Sequence, residues 1–526
     1  MITPLTSILT AVLVLIGTAA LRKAYRLYTF PLRSFGGPKT HSWITGSQHQ
    51  SDIPDIILEW SKKYGRVFSF ASVFNNPRVS IADPKAVAYI LHNTDNYPKP
   101  DAVRYSLRRV VGPGVITVEG EPHKHQRKAM SPAFSAASVG LLVPTFIDKT
   151  VQLCEIWATE CADSKDGVYR TDALKWFSWL TLDIIGLTGF NYNFRSLDEY
   201  KKGSTQVTTP FKSALDTIFS PAAFFSFVLK GYIPVLRFFP MPIDGPIRTA
   251  QEEMQATSVR LLSEAKVTGG KEARDILSIL ASVDSKSKDA LSDSDLAAQI
   301  PTMFVAGHDT TSVLLTWAIF ALTGAPEVQQ KLRTTLRSIP TDSPTMEELN
   351  TLPYLDDVIR EVLRLHSPVP STPRVALRDD VVPLGEPVKD QNGKLHHTLK
   401  LRAGDTINIP ILAMNVDPEL WGKDALEFNP DRWAAVDSAD AVPIPAVPYG
   451  SVLSFLGGPR ACIGWRFALV EAKAILFTLL RRFEFELGVP RDSITSESTV
   501  VTRPHLKGQR DAGNQLPVVI RPLVEQ

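Results

Sequence analysis

The chain is poor in cysteine: only Cys154, Cys161 and Cys462 occur among its 526 residues. Cys154 and Cys161 lie seven positions apart in a run with helical periodicity, which separates their Cα atoms by roughly 10 Å and excludes a disulfide between them. We interpret both as small buried side chains in a protein of a reducing compartment. Cys462 has no second cysteine or histidine at zinc-ligand spacing, which disfavours zinc as its metal.

An excess of charge of one sign is also missing, because 57 Lys and Arg residues face 55 Asp and Glu residues. Without a basic arm or patch, no nucleic acid is expected as a partner. The sequence has no Gly-x-Gly-x-x-Gly after a predicted strand, so it lacks the common nicotinamide and flavin fingerprint. We find no internal repeat or low-complexity tract either, which leaves an ordinary folded protein with a large core.

The longest uncharged apolar run lies at the N-terminus, over residues 2–21. As a helix it would span roughly 30 Å, the thickness of a bilayer core. Arg22, Lys23 and Arg26 follow the run and nothing basic precedes it, which is the reverse of a cleaved secretory signal and places the rest of the chain in the cytosol. We predict a membrane anchor at residues 1–24, with a looser interfacial helix as the alternative because five Ser and Thr residues dilute the run.

Proline and glycine interrupt the segment Phe30–Pro38, so residues 25–50 are predicted to form a stiff hinge and entry segment. Residues 51–526 carry mainly helical periodicity with short β-like runs, which predicts one unit that is mainly α with small β-sheets. The predicted helices lie near 51–64, 84–94, 122–134, 139–160, 172–189, 246–266, 292–323, 326–338, 354–366 and 464–481, and the predicted strands near 66–81, 371–377, 398–409 and 482–486.

An aromatic stretch over residues 219–241 has two interpretations. Its phenylalanines, among them Phe224, Phe225, Phe238 and Phe239, can pack in the core, or they can form a surface that dips into the membrane holding the anchor.

The strongest chemical signal is the segment Phe455–Gly464, which is followed at once by a helical run. Cys462 stands just before the predicted helix, where free backbone N–H groups and the helix dipole favour a thiolate. Gly458 and Gly464 let the backbone approach a flat ligand, and Arg460 supplies charge for an acidic group. A lone thiolate suits haem iron, which needs only one axial protein ligand.

This segment resembles, at every specified position, the haem-binding signature Phe-x-x-Gly-x-Arg-x-Cys-x-Gly of the cytochrome P450 family. The resemblance covers about residues 31–520 and implies a single cytochrome P450-type fold behind the N-terminal transmembrane helix. It also implies haem b (iron protoporphyrin IX) with the Cys462 thiolate as axial ligand. The cofactor-binding positions that it implies in this segment are Phe455, Gly458, Arg460, Cys462 and Gly464.

Two further segments resemble the family's structural core. Glu361-Val-Leu-Arg364 matches its Glu-x-x-Arg motif, and one helical turn places both side chains on one face. Arg432 matches the position of a third partner. The resemblance implies that the three form a structural triad behind the haem.

The segment Ala306–Thr311 lies in the apolar run 292–323 and resembles the family's oxygen-activation motif. The resemblance implies Thr310 as the hydroxyl that steadies bound O2 and Asp309 as its partner in proton delivery. A threonine in a helix can also bond to the carbonyl four residues earlier and open the helix locally. We interpret the adjacent His308 as a bystander.

His123 and Arg127 lie four residues apart, hence on one helical face, and match the family's positions that contact the haem propionates. Histidine stands here where many members have tryptophan. Arg374 matches another propionate-contacting position.

The resemblance implies a monooxygenase that inserts one atom of O2 into a hydrophobic substrate, with a terpenoid or other secondary metabolite favoured. Electrons would come from a separate flavoprotein NADPH reductase, with cytochrome b5 as a second donor, on the endoplasmic reticulum membrane. The overall resemblance is to a microsomal fungal member. Two alternatives stay open: a haem-thiolate isomerase or dehydratase that acts on peroxides without a reductase, and a non-catalytic haem-binding protein.

Overall fold

The computed structural model describes residues 27–40, 53–201, 220–268, 274–282, 290–437, 447–498 and 500–523, and the isolated positions 14, 17, 18, 21, 24, 25, 42, 46, 47, 217, 218 and 444. Within these ranges helices predominate and the strands form small sheets, which confirms the predicted fold class. Most of the predicted anchor and part of the predicted hinge lie outside the described residues.

The helices are α1 (Pro54–Tyr64), α2 (Pro84–His92), α3 (Asp101–Val111), α4 (Gly120–Met130), α5 (Ala136–Gly140), α6 (Val143–Asp163), α7 (Ala173–Phe190), α8 (Ser196–Lys201), α9 (Pro221–Tyr232), α10 (Asp244–Thr268), α11 (Ile276–Ala281), α12 (Asp293–Thr323), α13 (Pro326–Arg337), α14 (Met346–Asn350), α15 (Pro353–Leu365), α16 (Ile411–Asn415), α17 (Pro418–Trp421), α18 (Arg432–Asp437) and α19 (Trp465–Arg482). The strands are β1 (Val67–Ala71), β2 (Pro77–Ile81), β3 (Tyr169–Asp172), β4 (Thr372–Val375), β5 (Asp380–Lys389), β6 (Leu395–Leu401), β7 (Thr406–Ile409), β8 (Phe483–Leu487), β9 (Ile494–Ser498), β10 (Thr502–Leu506) and β11 (Pro517–Pro522).

Local chemistry explains where several helices begin. The Ser292 hydroxyl accepts the N–H of Asp295 at 3.1 Å and caps α12, satisfying one of the free N–H groups at the helix start. The Asp83 carboxylate caps α2 in the same way, by accepting the N–H of Ala86 at 2.9 Å. Proline stands at the start of α1, α2 and α15, where its missing N–H costs nothing.

Contacts divide the chain into two units, and each combines two separate segments. The first comprises residues 1–98 and 371–410. Its main sheet has the strand order β1-β2-β7-β4, in which only the β2–β7 pair is parallel, and β5 pairs with β6 in a separate hairpin. Phe30, Leu32 and Phe35 of the predicted hinge are buried, and the segment from Phe30 to Pro38 contains no helix, as its proline and glycine content predicts.

The second unit comprises residues 99–370 and 411–526. Its centre is α12, which packs along α7 and also contacts α10, α15 and α19. Two small sheets accompany the helices: β3-β11-β8 and the β9–β10 hairpin. Burial of residues 296–304 and 311–319 fixes α12 as the core helix of this unit. The prediction of one unit over residues 51–526 stays a prediction.

Among the residues that the structure describes, only α12 is by itself long and apolar enough to cross a membrane. Of its most apolar 18-residue stretch, 67% is buried within the protein. A bent pair, Gly120–Phe134 with Ala136–Asp163, meets the same criteria only when taken together. Burial identifies α12 as a core helix.

Candidate active site

Residues 450–464 form the loop that carries Cys462, which we call the cysteine loop. Four of its residues have positive φ and bend the backbone. These residues are Gly450 (φ 56°), Ser451 (58°), Leu456 (57°) and Gly458 (68°). Glycine adopts this conformation freely, whereas it costs other residues about 1–3 kcal/mol. Gly458 adopts this conformation without that cost, whereas Ser451 and Leu456 adopt it with a side chain. Gly464 differs, because its φ is −89° and a Cβ there would meet Phe134 at an ordinary 3.7 Å.

Cys462 is held at the end of this loop, ahead of α19. Its N–H donates to the carbonyl of Phe455 at 2.8 Å, and α19 begins at Trp465 with Gly464 as its N-cap. Burial raises the pKa of the Cys462 thiol above its ordinary value, against the lowering effects of the Gly464 N–H and the Arg127 charge. The side chain is nevertheless exposed, so its sulfur is accessible to a ligand. A raised thiol pKa does not prevent metal binding, since a coordinating metal removes the thiol proton.

A cluster of cations lies beside the cysteine loop. Arg127, on α4, donates from Nη1 to the carbonyl of Ala461 at 2.6 Å. Burial lowers the pKa of the His123 imidazole to about 3, with a further contribution from nearby positive charges. In decreasing order of effect, those charges belong to Arg460, Lys99 and Arg127. His123 is therefore a neutral donor or acceptor among three cations.

One acid of the chain enters this cluster. Glu119, immediately before α4, forms an ion pair with Arg460 and lies 3.9 Å from the ammonium of Lys99. Arg460 also donates from Nη1 to the carbonyl of Val118 at 2.8 Å. The acidic group that Arg460 contacts in the structure is therefore the carboxylate of Glu119, a residue of the protein itself. Three cations against one acid leave the cluster with net positive charge, which suits a ligand with carboxylates.

Arg374 lies on β4, in the first unit. It is 2% exposed, and its Nη1 donates to the Thr372 hydroxyl at 2.7 Å and to the carbonyl of Pro373 at 2.8 Å. These contacts fix the guanidinium on its own strand, and its predicted contact with a propionate stays a prediction.

The middle of α12 is open, although both its flanks are buried. Ala306 is exposed and residues 307–310 are partly exposed, so this stretch is accessible from outside the helix packing. The Thr310 hydroxyl donates to the carbonyl of Ala306 at 2.6 Å, which is the bond four residues back that the sequence predicts. Asp309 forms an ion pair with Arg503 of β10.

His308 is directed towards α7. Its Nε2 lies 3.0 Å from the Ser178 hydroxyl, and its ring stacks on Phe304 with centroids 5.8 Å apart. The Thr181 hydroxyl donates to the carbonyl of His308 at 3.0 Å. These contacts agree with the interpretation of His308 as a bystander.

The structure brings Glu361, Arg364 and Arg432 together in the core of the second unit. Arg364 donates from Nη2 to the Glu361 carboxylate at 2.8 Å, and Arg432 donates from Nε at 2.9 Å. The side chains of Glu361 and Arg364 are 0% exposed. A buried carboxylate between two guanidinium groups fulfils the geometry of the predicted triad.

Asn415, on α16, connects this triad to the cysteine loop. Its carbonyl accepts Nη1 of Arg364 at 3.1 Å. Its side chain accepts the N–H of Leu453 at 2.8 Å and donates to the Ser454 hydroxyl at 2.9 Å. The triad is thus two hydrogen bonds away from the loop that carries Cys462.

Sequence reasoning missed Glu119, Asn415, Arg503 and Lys99. Glu119 lies four residues before His123, so the need to balance the charge of Arg460 could have pointed to it. Asn415 and Arg503 carry no local signal, because their partners are distant in sequence.

These residues fit haem. A single exposed thiol before a helix supplies the one axial ligand that haem requires. The net positive cluster of Arg127, Arg460 and Lys99 suits the two carboxylates of the porphyrin. Fold and site together define a haem-thiolate enzyme.

Comparison with known proteins identifies the family. The cytochrome P450 family model matches residues 36–509. Cytochrome P450 monooxygenase 205 of Postia placenta is 42% identical over 97% of this chain and 98% of its own length, and monooxygenase 128 of the same fungus is 38% identical over 94% and 93%. Cytochrome P450 monooxygenase claU of Ampulloclitocybe clavipes is 35% identical over 93% of this chain and 92% of its own length. The chain belongs to the cytochrome P450 family, whose members are oxidoreductases with cysteine-ligated haem iron.

Proposed function

We propose that this protein is a membrane-bound monooxygenase that uses Cys462 as the axial haem ligand and oxidises a hydrophobic small molecule. The observation that carries the proposal is the position of Cys462. It is exposed where the other two cysteines are buried, it ends a strained loop ahead of α19, and it lies beside the charge of Arg127.

The proposed reaction consumes the substrate, O2, NADPH and one proton. It yields the hydroxylated substrate, water and NADP+, so that NADPH supplies both electrons and one oxygen atom leaves as water. Haem, when bound, supplies the iron chemistry that reduces and splits O2. The chain's own task is to hold this group and to deliver protons.

Each site residue has a proposed part in that task. Arg127 and His123 hold the propionates, with Arg374 as a third contact. The Thr310 hydroxyl stands at the open stretch of α12 and steadies O2, while Asp309 passes protons towards it. The triad holds the cysteine loop in place through Asn415.

The substrate is proposed to be apolar, with a terpenoid or another secondary metabolite as the favoured class. The segments expected to contact it, near residues 100–117, 205–230, 298–306, 369–373 and 497–502, are rich in Phe, Val, Ile and Pro. Such a lining favours ligands without charge. Candidate compounds can be titrated against the ferric protein, and a true ligand changes the spin state and hence the absorption spectrum.

Membrane association has support beyond the predicted anchor. Around α9, four aromatic side chains point outward: Phe224, Phe225, Phe238 and Phe239 are 52%, 63%, 86% and 59% exposed. Phe227, on the same helix, is buried. An exposed aromatic patch of this kind favours the membrane interpretation of residues 219–241 over core packing. We propose the endoplasmic reticulum membrane as the location.

Electrons are proposed to come from a flavoprotein NADPH reductase, or from cytochrome b5, that docks near the cysteine loop. Lys124 and Lys128 are exposed on α4, and Arg466 is exposed in the first turn of α19. Electrostatic steering of an acidic partner depends on such charges. Charge reversal at Arg466 should slow reduction by the reductase most strongly at low salt.

Replacement of Cys462 by alanine tests the proposal. Cys462→Ala should lose the red-shifted band of the reduced, carbon-monoxide-treated protein and all NADPH-dependent product formation. Cys154→Ala is the matched control, because Cys154 is buried in α6, and it should keep both. A Cys462→Ala protein that retains the band and turns over would overturn the proposal. Turnover of the wild type without reductase or NADPH would instead indicate the isomerase or dehydratase.

A further inference from the structure

The starting observation is the ion pair between Asp309 of α12 and Arg503 of β10. The two residues are 194 positions apart, and their side chains are 23–24% exposed. The pair therefore lies at the edge of the open stretch of α12, where solvent screening is weaker than at the surface. Neither the family motifs nor the segments expected to bind substrate include Arg503.

The backbone beside Arg503 is fixed to the core. The indole N–H of Trp317 donates to the carbonyl of Thr502 at 2.9 Å, and the N–H of Thr502 donates to the carbonyl of Pro368 at 2.8 Å. Trp317 belongs to α12, as Asp309 does. The strand and the helix are thus held together beside the ion pair, so a change of partner by Arg503 requires only rotation of its side chain.

A second carboxylate stands within reach of Arg503. In the β9–β10 hairpin, Arg503 lies directly opposite Glu497. Directly opposed residues of antiparallel strands project to the same face, with Cβ atoms about 4.5–5.5 Å apart. If the pair with Asp309 opens, the guanidinium can turn to Glu497 without losing a counter-charge.

These contacts bear on proton delivery, and the inference rests on the function proposed above. The reaction consumes protons at each turnover, and Asp309 is the residue assigned to pass them on. A charge-assisted hydrogen bond to a guanidinium holds a carboxylate in place, so Asp309 is restrained while the pair is closed. Opening the ion pair with Arg503 frees the Asp309 carboxylate.

We propose that Arg503 is a positioning residue that holds Asp309 between proton transfers and releases it by turning to Glu497. Arg503 acts through Asp309 and does not touch the reacting atoms. Its loss leaves Asp309 without a fixed position, so protons reach reduced O2 at the wrong moment. Two protons then release it as hydrogen peroxide before an oxygen atom is inserted.

The first test measures product formed per NADPH consumed, using the haem-loaded, reductase-coupled protein. Arg503→Gln should lower this ratio about tenfold, which corresponds to ~1.4 kcal/mol, with an unchanged carbon monoxide spectrum. Arg503→Lys should restore most of the ratio. In an Asp309→Asn background, Arg503→Gln should change the ratio no further, because Arg503 acts only through Asp309. Glu497→Gln should slow turnover with little effect on the ratio.

The matched control is Arg521→Gln, which removes an exposed pair with Glu486 between β11 and β8 and should change nothing. A second readout does not require turnover: the falls in unfolding temperature of Arg503→Gln and Asp309→Asn should add to more than the fall in the double variant. Additive effects in both readouts, or a normal product ratio in Arg503→Gln, would overturn the inference. If the wild type neither shows the haem-thiolate band nor turns over, the proposed function fails, and the unfolding temperatures still decide whether Arg503 holds Asp309.

Discussion

Glu361 is the residue whose replacement should destabilise the second unit most clearly. Its carboxylate accepts Nε and Nη2 of Arg364 at 2.9 and 2.8 Å, and it also accepts Nε of Arg432 at 2.9 Å and the N–H of Asn429 at 3.0 Å. The side chain is 0% exposed. Glu361→Gln keeps the shape but leaves the buried Arg364 guanidinium without its carboxylate partner, whereas Arg432 keeps its ion pair with Asp424.

The expected cost follows from that burial. Removal of one partner of a buried ion pair costs about 3–5 kcal/mol, because the remaining charge stays desolvated. Against a free energy of unfolding of about 5–15 kcal/mol for a typical domain, Glu361→Gln should remove about a fifth or more of the stability. An exposed pair such as Arg521–Glu486 contributes at most about 1 kcal/mol.

Denaturant unfolding, followed by tryptophan fluorescence, measures this difference for Glu361→Gln and for the control Arg521→Gln. Haem content should fall in parallel for Glu361→Gln, because Arg364 supports Asn415 and, through it, the cysteine loop. If Glu361→Gln unfolds within about 1 kcal/mol of the wild type and retains its haem, the triad does not hold the loop and the reasoning is refuted.

Three further predictions concern other parts of the second unit. Burial lowers the pKa of His366 to about 3, with a smaller effect of the Arg491 and Arg364 charges. Because the same histidine takes up a proton near pH 6.5 in the unfolded chain, the free energy of unfolding should fall as the pH drops from about 6.5 towards 3, by at most ~1.4 kcal/mol per pH unit. His366→Phe should reduce this loss of stability, which is measured by comparing the free energy of unfolding at pH 7 and pH 5. An unchanged dependence of that free energy on pH would contradict the prediction. Arg127→Gln should release haem about tenfold faster than the wild type, because a charge-assisted hydrogen bond contributes ~1.5–3 kcal/mol. The rate is measured by transfer of haem to an acceptor apoprotein. Release at the wild-type rate would count against the assignment of Arg127 to a haem propionate. Thr310→Val keeps the side-chain volume but removes the hydroxyl, so product per NADPH should fall about tenfold while hydrogen peroxide rises; normal coupling would remove Thr310 from the proposed mechanism.

Much of the helical framework could be predicted because it depends on neighbours in sequence. The capping of α12 by Ser292 needs only a residue three positions away, and the position of Cys462 ahead of α19 follows from the helical run after it. The pairing of Glu361 with Arg364 likewise spans a single helical turn.

Some strands were missed because their partners are remote. β11 pairs with β3 and β8, and β9 and β10 carry polar residues that give little strand signal. The periodicity of these segments alone does not separate a strand from a loop, since strand formation depends on the neighbour that supplies hydrogen bonds.

The sequence by itself determined the fold class, the family and the type of cofactor, because helical periodicity and the cysteine motif are written in short, contiguous segments. Only the tertiary structure decided that Arg503 restrains Asp309, that Glu119 neutralises Arg460 and that Asn415 joins the triad to the cysteine loop. These contacts join side chains that lie far apart along the chain. A charge or an amide acquires such a partner only when folding brings the two together and shields them from water, which makes an unpaired polar group costly.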